Sequence, residues 1–268
     1  MHSSGESLVI RCTASHEGEQ ISVFRRTDAA GVRICVDCVV TSPPYWGLRD
    51  YQVQGQYGSE STVNSYIDNL VTVFDNIVRL LKPSGCLLLN LGDTFGGSWG
   101  NYSTSQTNAF RPPQTRYRAK DLVGVPWRVV FALHDRGWLL QKAIIWHKPN
   151  ARPESVQDRL AQCYDMLFLL TRQHVSRQQQ LSKVNEFRDI WSIPKDHNST
   201  GHRAAGTLDV ARRCVRLTCT SGAVVLDPFS GSGTTGVAAR ENDCRFIGID
   251  LDPHCHDIAW ARLREGQP

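Results

Sequence analysis

The sequence predicts an α/β fold: a doubly wound, mostly parallel sheet with helices on both faces. Two observations predict it. Short apolar, β-branched runs alternate along the chain with stretches whose apolar residues recur every three or four positions. Near the C-terminal end, one such run passes into a glycine-rich turn and then a helical stretch, the arrangement of a nucleotide-type cofactor site.

The elements follow in order. Residues 34–41 form a β-branched run that ends at Ser42-Pro43-Pro44, read as a buried strand delivering a rigid loop. Ile67, Leu70, Val71, Phe74, Ile77, Val78 and Leu81 mark one face of a helix, which Lys82-Pro83-Ser84-Gly85 is expected to stop. Residues 86–91 are continuously apolar between two glycines, which suits a strand buried on both faces. Beyond a polar segment, a helix is expected over 122–134 and strands over 138–146 and 166–171. After a second polar segment come a helix over 208–217, a strand over 223–226, the glycine turn, a helix to about 240, a strand over 245–249 and a last helix. Residues before 33 show no period and receive no role.

With 268 residues, 41% hydrophobic and 21% charged, the chain has the composition of one globular catalytic domain. No apolar stretch is long enough to span a bilayer, and residues 1–20 lack the apolar region of a secretory signal, so a cytoplasmic location without membrane partners is expected. Nine cysteines are then read as free thiols. Cys35-x-x-Cys38 lies in an apolar strand with no second pair at ligand spacing, so no metal is assigned.

A net charge of +4 permits a polyanionic partner without demonstrating one. Its distribution says more. Residues 94–120 contain no Asp or Glu, while Arg111, Arg116, Arg118 and Lys120 sit among Trp99, Tyr102, Phe110 and Tyr117. That mixture suits a loop on nucleic-acid phosphates and equally suits a solvated insertion. Residues 173–201 are a second polar, variable segment.

In the run Asp227-Pro228-Phe229-Ser230-Gly231-Ser232-Gly233-Thr234-Thr235-Gly236, the glycines let the backbone approach a ligand, and Asp250 ends the next strand where an acid can bind ribose hydroxyls. A nicotinamide dinucleotide fits this pattern as well. The loop Ser42-Pro43-Pro44-Tyr45-Trp46 has a different chemistry. Two prolines fix φ and remove two donors while leaving carbonyl acceptors. An amino group on a heteroaromatic ring is the complementary partner, donating to the Ser42 hydroxyl and the Pro43 carbonyl while Tyr45 stacks on the ring.

Together these loops make the sequence resemble the amino-methyltransferase family of DNA modification enzymes, whose marks are an (Asp/Asn/Ser)-Pro-Pro-(Tyr/Phe/Trp) loop and an Asp-Pro-Phe-x-Gly-Ser-Gly-Thr-Thr turn. The proline loop precedes the glycine turn, which resembles the circularly permuted β group. Asn90-Leu91-Gly92-Asp93, Pro126-Trp127, Gly137-Trp138 and residues 145–155 resemble lesser segments of that group. The resemblance implies a Rossmann-like fold, S-adenosylmethionine as cofactor and double-stranded DNA as partner, with room for a cognate restriction endonuclease. It implies catalysis at Ser42, Pro43, Pro44 and Tyr45. Cofactor binding falls to Asp227, Pro228, Phe229, Gly231, Ser232, Gly233, Thr234, Asp250, Asp93 and His202. Beside the resemblance, Arg111, Arg116 and Arg118 of the acid-free segment, Lys148 and Arg152 beyond a strand end, and Trp46 next to the proline loop are the candidate substrate contacts. In this family Ser at the head of the proline loop goes with cytosine N4, and Asp or Asn with adenine N6. N6-adenine methylation and a catalytically silent DNA binder stand as alternatives. The segment 201–206 departs from the family's His-x-Ala-x-Phe-Pro by lacking its aromatic residue.

The implied chemistry begins with extrusion of the base, because a paired and stacked amino nitrogen cannot reach a methyl donor. Hydrogen bonds to Ser42 and Pro43 then localise the nitrogen lone pair for direct transfer. No Pro-Cys dipeptide is present for the covalent route of carbon-5 methylation.

Overall fold

The structure, a computed structural model, describes residues 8–11 (backbone only), 35–97, 117–151, 153, 157–173, 187–196 and 206–264. Its strands are β1 (Leu8–Arg11), β2 (Val36–Thr41), β3 (Leu81–Leu91), β4 (Leu139–His147), β5 (Tyr164–Thr171), β6 (Ile190–Ser192), β7 (Val224–Asp227) and β8 (Arg245–Asp250). Its helices are α1 (Val63–Val78), α2 (Val125–Asp135), α3 (Leu208–Thr218), α4 (Thr234–Arg240) and α5 (Pro253–Arg264).

The strands form one 8-stranded sheet in the order β1-β8-β7-β2-β3-β5-β4-β6. Among the described strands only β5 runs against the rest, antiparallel to both β3 and β4. Side chains alternate across the sheet as the two-residue period requires. Val39, Leu87, Leu89, Phe168, Leu170 and Leu226 face one core, under α1 and α2. Cys38, Val40, Leu88, Leu167, Leu169 and Val225 face the other, under α3 and its neighbours. The expected doubly wound α/β architecture is therefore present.

Several boundaries differ from expectation. Helix α1 begins at Val63, where the Thr62 hydroxyl accepts from the Ser65 amide at 3.0 Å, and it ends at Val78. The Lys-Pro-Ser-Gly run does not sit at the helix end but inside β3. Val36 pairs with Leu81 and Cys38 with Cys86, so residues 82–85 bulge out of register. Lys82 is tied there to Asp37 at 2.6 Å. Strand β1 lies in the stretch that showed no period, and it pairs in parallel with β8 at the sheet edge. Strand β6 lies in the polar segment 173–201. Its Trp191 is fully buried, so this part of the segment is core.

Strands β2 and β7 are neighbours, and their crossovers diverge. From β2 the chain passes through α1 to β3 on one side; from β7 it passes through α4 to β8 on the other. Neighbouring strands whose connections leave in opposite directions open a crevice at their carboxyl ends, where open α/β sheets bind ligands. The proline loop follows β2 and the glycine turn follows β7, so both signature loops border that crevice.

Candidate active site

A cavity of about 790 Å³ opens there. It is lined from one side by Ser42, Pro43 and Tyr45, and from the other by Asp227, Phe229, Ser230, Gly231, Ser232 and Thr234. The volume lies within the range of small-molecule sites. The two loops are joined directly where their strands end: the Thr41 hydroxyl donates to Asp227 at 2.7 Å. Asp227 also accepts from the Thr235 hydroxyl at 2.7 Å and the Phe229 amide at 3.1 Å. Burial pushes its carboxyl up to about 6, against the three bonds that favour the ionised form.

The glycine turn is shaped by backbone. Gly231 donates to the Asp250 carboxylate at 2.7 Å, and Ser230 donates to the Ile249 carbonyl at 2.9 Å. Gly233 holds φ at +76°, and a Cβ there would lie 2.9 Å from that of Ala259 in α5. Arg262 ties the turn from outside, donating to the Ser232 carbonyl at 2.7 Å and the Thr234 hydroxyl at 3.1 Å.

The proline loop is shaped by side chains. Of its two proline carbonyls, that of Pro44 accepts from the Tyr66 hydroxyl at 2.9 Å. Pro43 lines the cavity. The Tyr45 ring lies against Gly92 at the end of β3, where a Cβ would fall 2.4 Å from the ring. One ring edge is thus held on backbone while the residue also borders the cavity, which leaves the ring available as a stacking surface. The Asn90 amide donates to Tyr45 Oη at 3.1 Å and to Ser42 Oγ at 3.3 Å. Tyr45 in turn donates to Asp165 at 3.2 Å, and Asp165 is paired with Lys148 at 2.6 Å. Burial, then the Asp165 charge, holds the Tyr45 phenol protonated well above its ordinary range.

The expected site residues divide accordingly. Ser42, Pro43, Tyr45, Asp93, Asp227, Phe229, Gly231, Ser232, Thr234 and Lys148 border the cavity. Pro44, Pro228, Gly233 and Asp250 support its walls without lining it. Asp93 also accepts from the Thr94 and Val125 amides, both at 2.9 Å, and so caps α2. Trp46 does not line the cavity. It is buried in the core, with its indole N-H on the Glu60 carbonyl at 3.0 Å, because successive side chains of a tight turn diverge. Lys148 is not a surface cation for phosphates. Its side chain is 11% exposed, committed to Asp165 and set over the Trp146 ring. Arg118 is exposed and away from the cavity lining. His202, Arg111, Arg116 and Arg152 lie outside the described residues. Sequence reasoning missed Asp165; its signal was a lone charge at the head of the apolar run 166–171.

A glycine turn and a proline loop across one crevice are the two marks of the amino-methyltransferase class. The comparisons place the chain within that class: residues 36–260 match the DNA methylase family, and the chain belongs to it. It is 37% identical to the type II methyltransferase M.Cfr9I of Citrobacter freundii, over 97% of this chain and 90% of that protein. It is 40% identical to the type II methyltransferase M.SmaI of Serratia marcescens, over 85% of this chain and 84% of that protein. Among solved structures, the putative DNA modification methylase TTHA0409 of Thermus thermophilus, in complex with S-adenosyl-L-methionine, matches with TM-score 0.62 and 26% identity, over 87% of this chain and 86% of that chain. The cytosine-N4-specific PvuII DNA methyltransferase matches in fold with TM-score 0.66 and 16% identity, over 88% and 82%. The protein is an S-adenosylmethionine-dependent DNA methyltransferase. Among the described residues no helix is long and apolar enough to cross a membrane. Nor, among them, is any group of three His, Cys, Asp or Glu side chains placed to hold a metal ion.

Proposed function

We propose that this chain methylates the exocyclic N4 amino group of a cytosine flipped out of double-stranded DNA. The observation that carries the reading is Ser42, a short hydroxyl at the head of the proline loop, lining the same crevice as the glycine turn. S-adenosylmethionine, when bound, supplies an electrophilic methyl group. Phe229, Gly231, Ser232, Thr234 and Asp250 would hold it; the cavity is large enough and its turn approaches by backbone, as a nucleoside cofactor needs. Ser42 Oγ and the Pro43 carbonyl accept the two amino hydrogens, which turns the nitrogen lone pair toward the methyl. Tyr45 stacks on the base and excludes water from that face.

Arg111, Arg116, Arg118 and Arg152, with the variable segments 94–120 and 173–201, would contact DNA around the flipped base. His202 would complete the cofactor site. M.Cfr9I and M.SmaI are named type II methyltransferases. That naming supports a cytoplasmic role in a restriction-modification system with a cognate endonuclease.

The test is transfer of labelled methyl from S-adenosylmethionine to mixed-sequence duplex DNA, followed by nucleoside analysis. N4-methylcytosine is expected. N6-methyladenine would overturn the choice of base, and no transfer would leave a silent DNA binder. Ser42→Ala should lower kcat about 10- to 100-fold with the cofactor Kd within about twofold of wild type. Full activity in that variant would remove the hydroxyl from the mechanism.

A further inference from the structure

We propose that Asp165, clamped by Lys148, is a positioning residue that fixes Tyr45 as the stacking platform for the extruded base. The inference rests on the function proposed above and deepens it. Asp165 stands at the start of β5, the strand that runs against its neighbours, so its side chain reaches the crevice from the opposite end of a strand. The parallel strands deliver their loops there by their carboxyl ends; β5 delivers the first residues of its own strand.

Three contacts define the arrangement. Tyr45 Oη donates to Asp165 Oδ2 at 3.2 Å, Lys148 Nζ donates to Asp165 Oδ1 at 2.6 Å, and Asn90 Nδ2 donates to Tyr45 Oη at 3.1 Å. With Gly92 against its Cδ2–Cε2 edge, Tyr45 is held at that edge and at its tip. Its hydroxyl hydrogen is directed to Asp165, so Tyr45 Oη receives the long 3.5 Å donation from the Ser42 hydroxyl, and the Ser42 oxygen keeps a lone pair, beside the one that Asn90 uses, to accept from a substrate amino group. The ion pair is largely buried, with side chains 11% and 10% exposed. A pair so placed costs desolvation and is weak as a source of stability. It is strong as a fixed anchor, because its geometry is over-determined by Trp146 below Lys148 and by the strand that carries Asp165.

The test uses the full chain, labelled S-adenosylmethionine and mixed-sequence duplex DNA. Asp165→Asn should lower kcat about 10- to 100-fold, as expected for a misplaced reacting group, with KM for DNA and cofactor Kd within about twofold of wild type. A loss of cofactor binding equal to the loss of kcat would show a merely structural role and overturn the proposal. Because Asp165→Asn strands a buried ammonium, the pair Asp165→Asn with Lys148→Gln is measured beside it, and wild-type activity in that neutral pair would also overturn it. In a Tyr45→Phe background, Asp165→Asn should cost no more than about a further twofold, since both act through one hydroxyl. Losses that multiply would place Asp165 elsewhere in the reaction. If the wild-type chain methylates no amino nitrogen, the proposed function falls and this inference with it; an active wild type with an unimpaired Asp165→Asn removes the inference alone.

Discussion

The glycine turn and the proline loop face each other over one crevice, yet they are held there in opposite ways. Apart from the Thr41 bond to Asp227, the bonds described for the turn come from the last stretch of the chain, from Asp227 to Arg262, and half of them are backbone amides on a carboxylate or carbonyl. The proline loop is held by Tyr66, Asn90, Gly92 and Asp165, which come from α1, β3, the end of β3 and β5. A turn held from within its own stretch of chain presents a close backbone surface, which suits a cofactor that is always the same. A loop held by distant side chains transmits the packing of three elements to one short segment, which suits a step where the alignment of one nitrogen sets the rate. Damage to the first region should therefore appear in stability and cofactor affinity, and damage to the second in kcat.

Gly233→Val is the largest expected break. The residue sits at φ +76°, where a β-branched side chain is strained, and its Cβ would meet Ala259 at 2.9 Å. A loss of about 2–4 kcal/mol in denaturant unfolding is expected, with weakened cofactor binding. Unchanged unfolding would mean that the turn is not pressed on α5 as described.

Gly92→Ala probes the other region. The added methyl must displace the Tyr45 ring or the Asp165 carboxylate, which lie 2.4 Å and 3.1 Å from it. We expect kcat to fall about 10- to 100-fold with the cofactor Kd within about twofold. Equal losses in both constants would erase the distinction between the two regions.

The same contrast governs what could be read from the sequence. The turn was legible because its determinants are neighbours: an apolar run, glycines where the chain doubles back, and an acid one strand later. The chemistry of the proline loop was legible too, since two prolines leave acceptors whatever surrounds them. Its supports were not. Nothing in Tyr-Asp-Met-Leu states that the Asp meets a tyrosine 120 positions earlier. Trp46 carried the opposite error, an aromatic beside a catalytic motif that faces the core. Strands β1 and β6 escaped notice because edge strands of 4 and 3 residues are too short to display a period. The bulge at residues 82–85 escaped because Pro and Gly mark a helix stop and a strand irregularity alike.

Thr41→Val is the subtlest test, because Thr41 bonds by its side chain to Asp227 where β2 and β7 reach their carboxyl ends. Removing its hydroxyl withdraws a donor that stabilises ionised Asp227, so the carboxyl, already raised from 3.8 to about 6, should move higher. A folded-state value above the unfolded one means that the native protein holds the proton more tightly. The stability this contributes is present below about pH 4 and is lost as pH rises through the folded value. In the variant the loss extends further, because the unassisted carboxylate costs more to ionise inside the protein. The stability gap between wild type and variant should thus be small at pH 5 and widen to about 1–2 kcal/mol by pH 8, measured by denaturant unfolding. A gap independent of pH would show that Asp227 does not titrate between the two loops, and that the bond joining them is an ordinary neutral one.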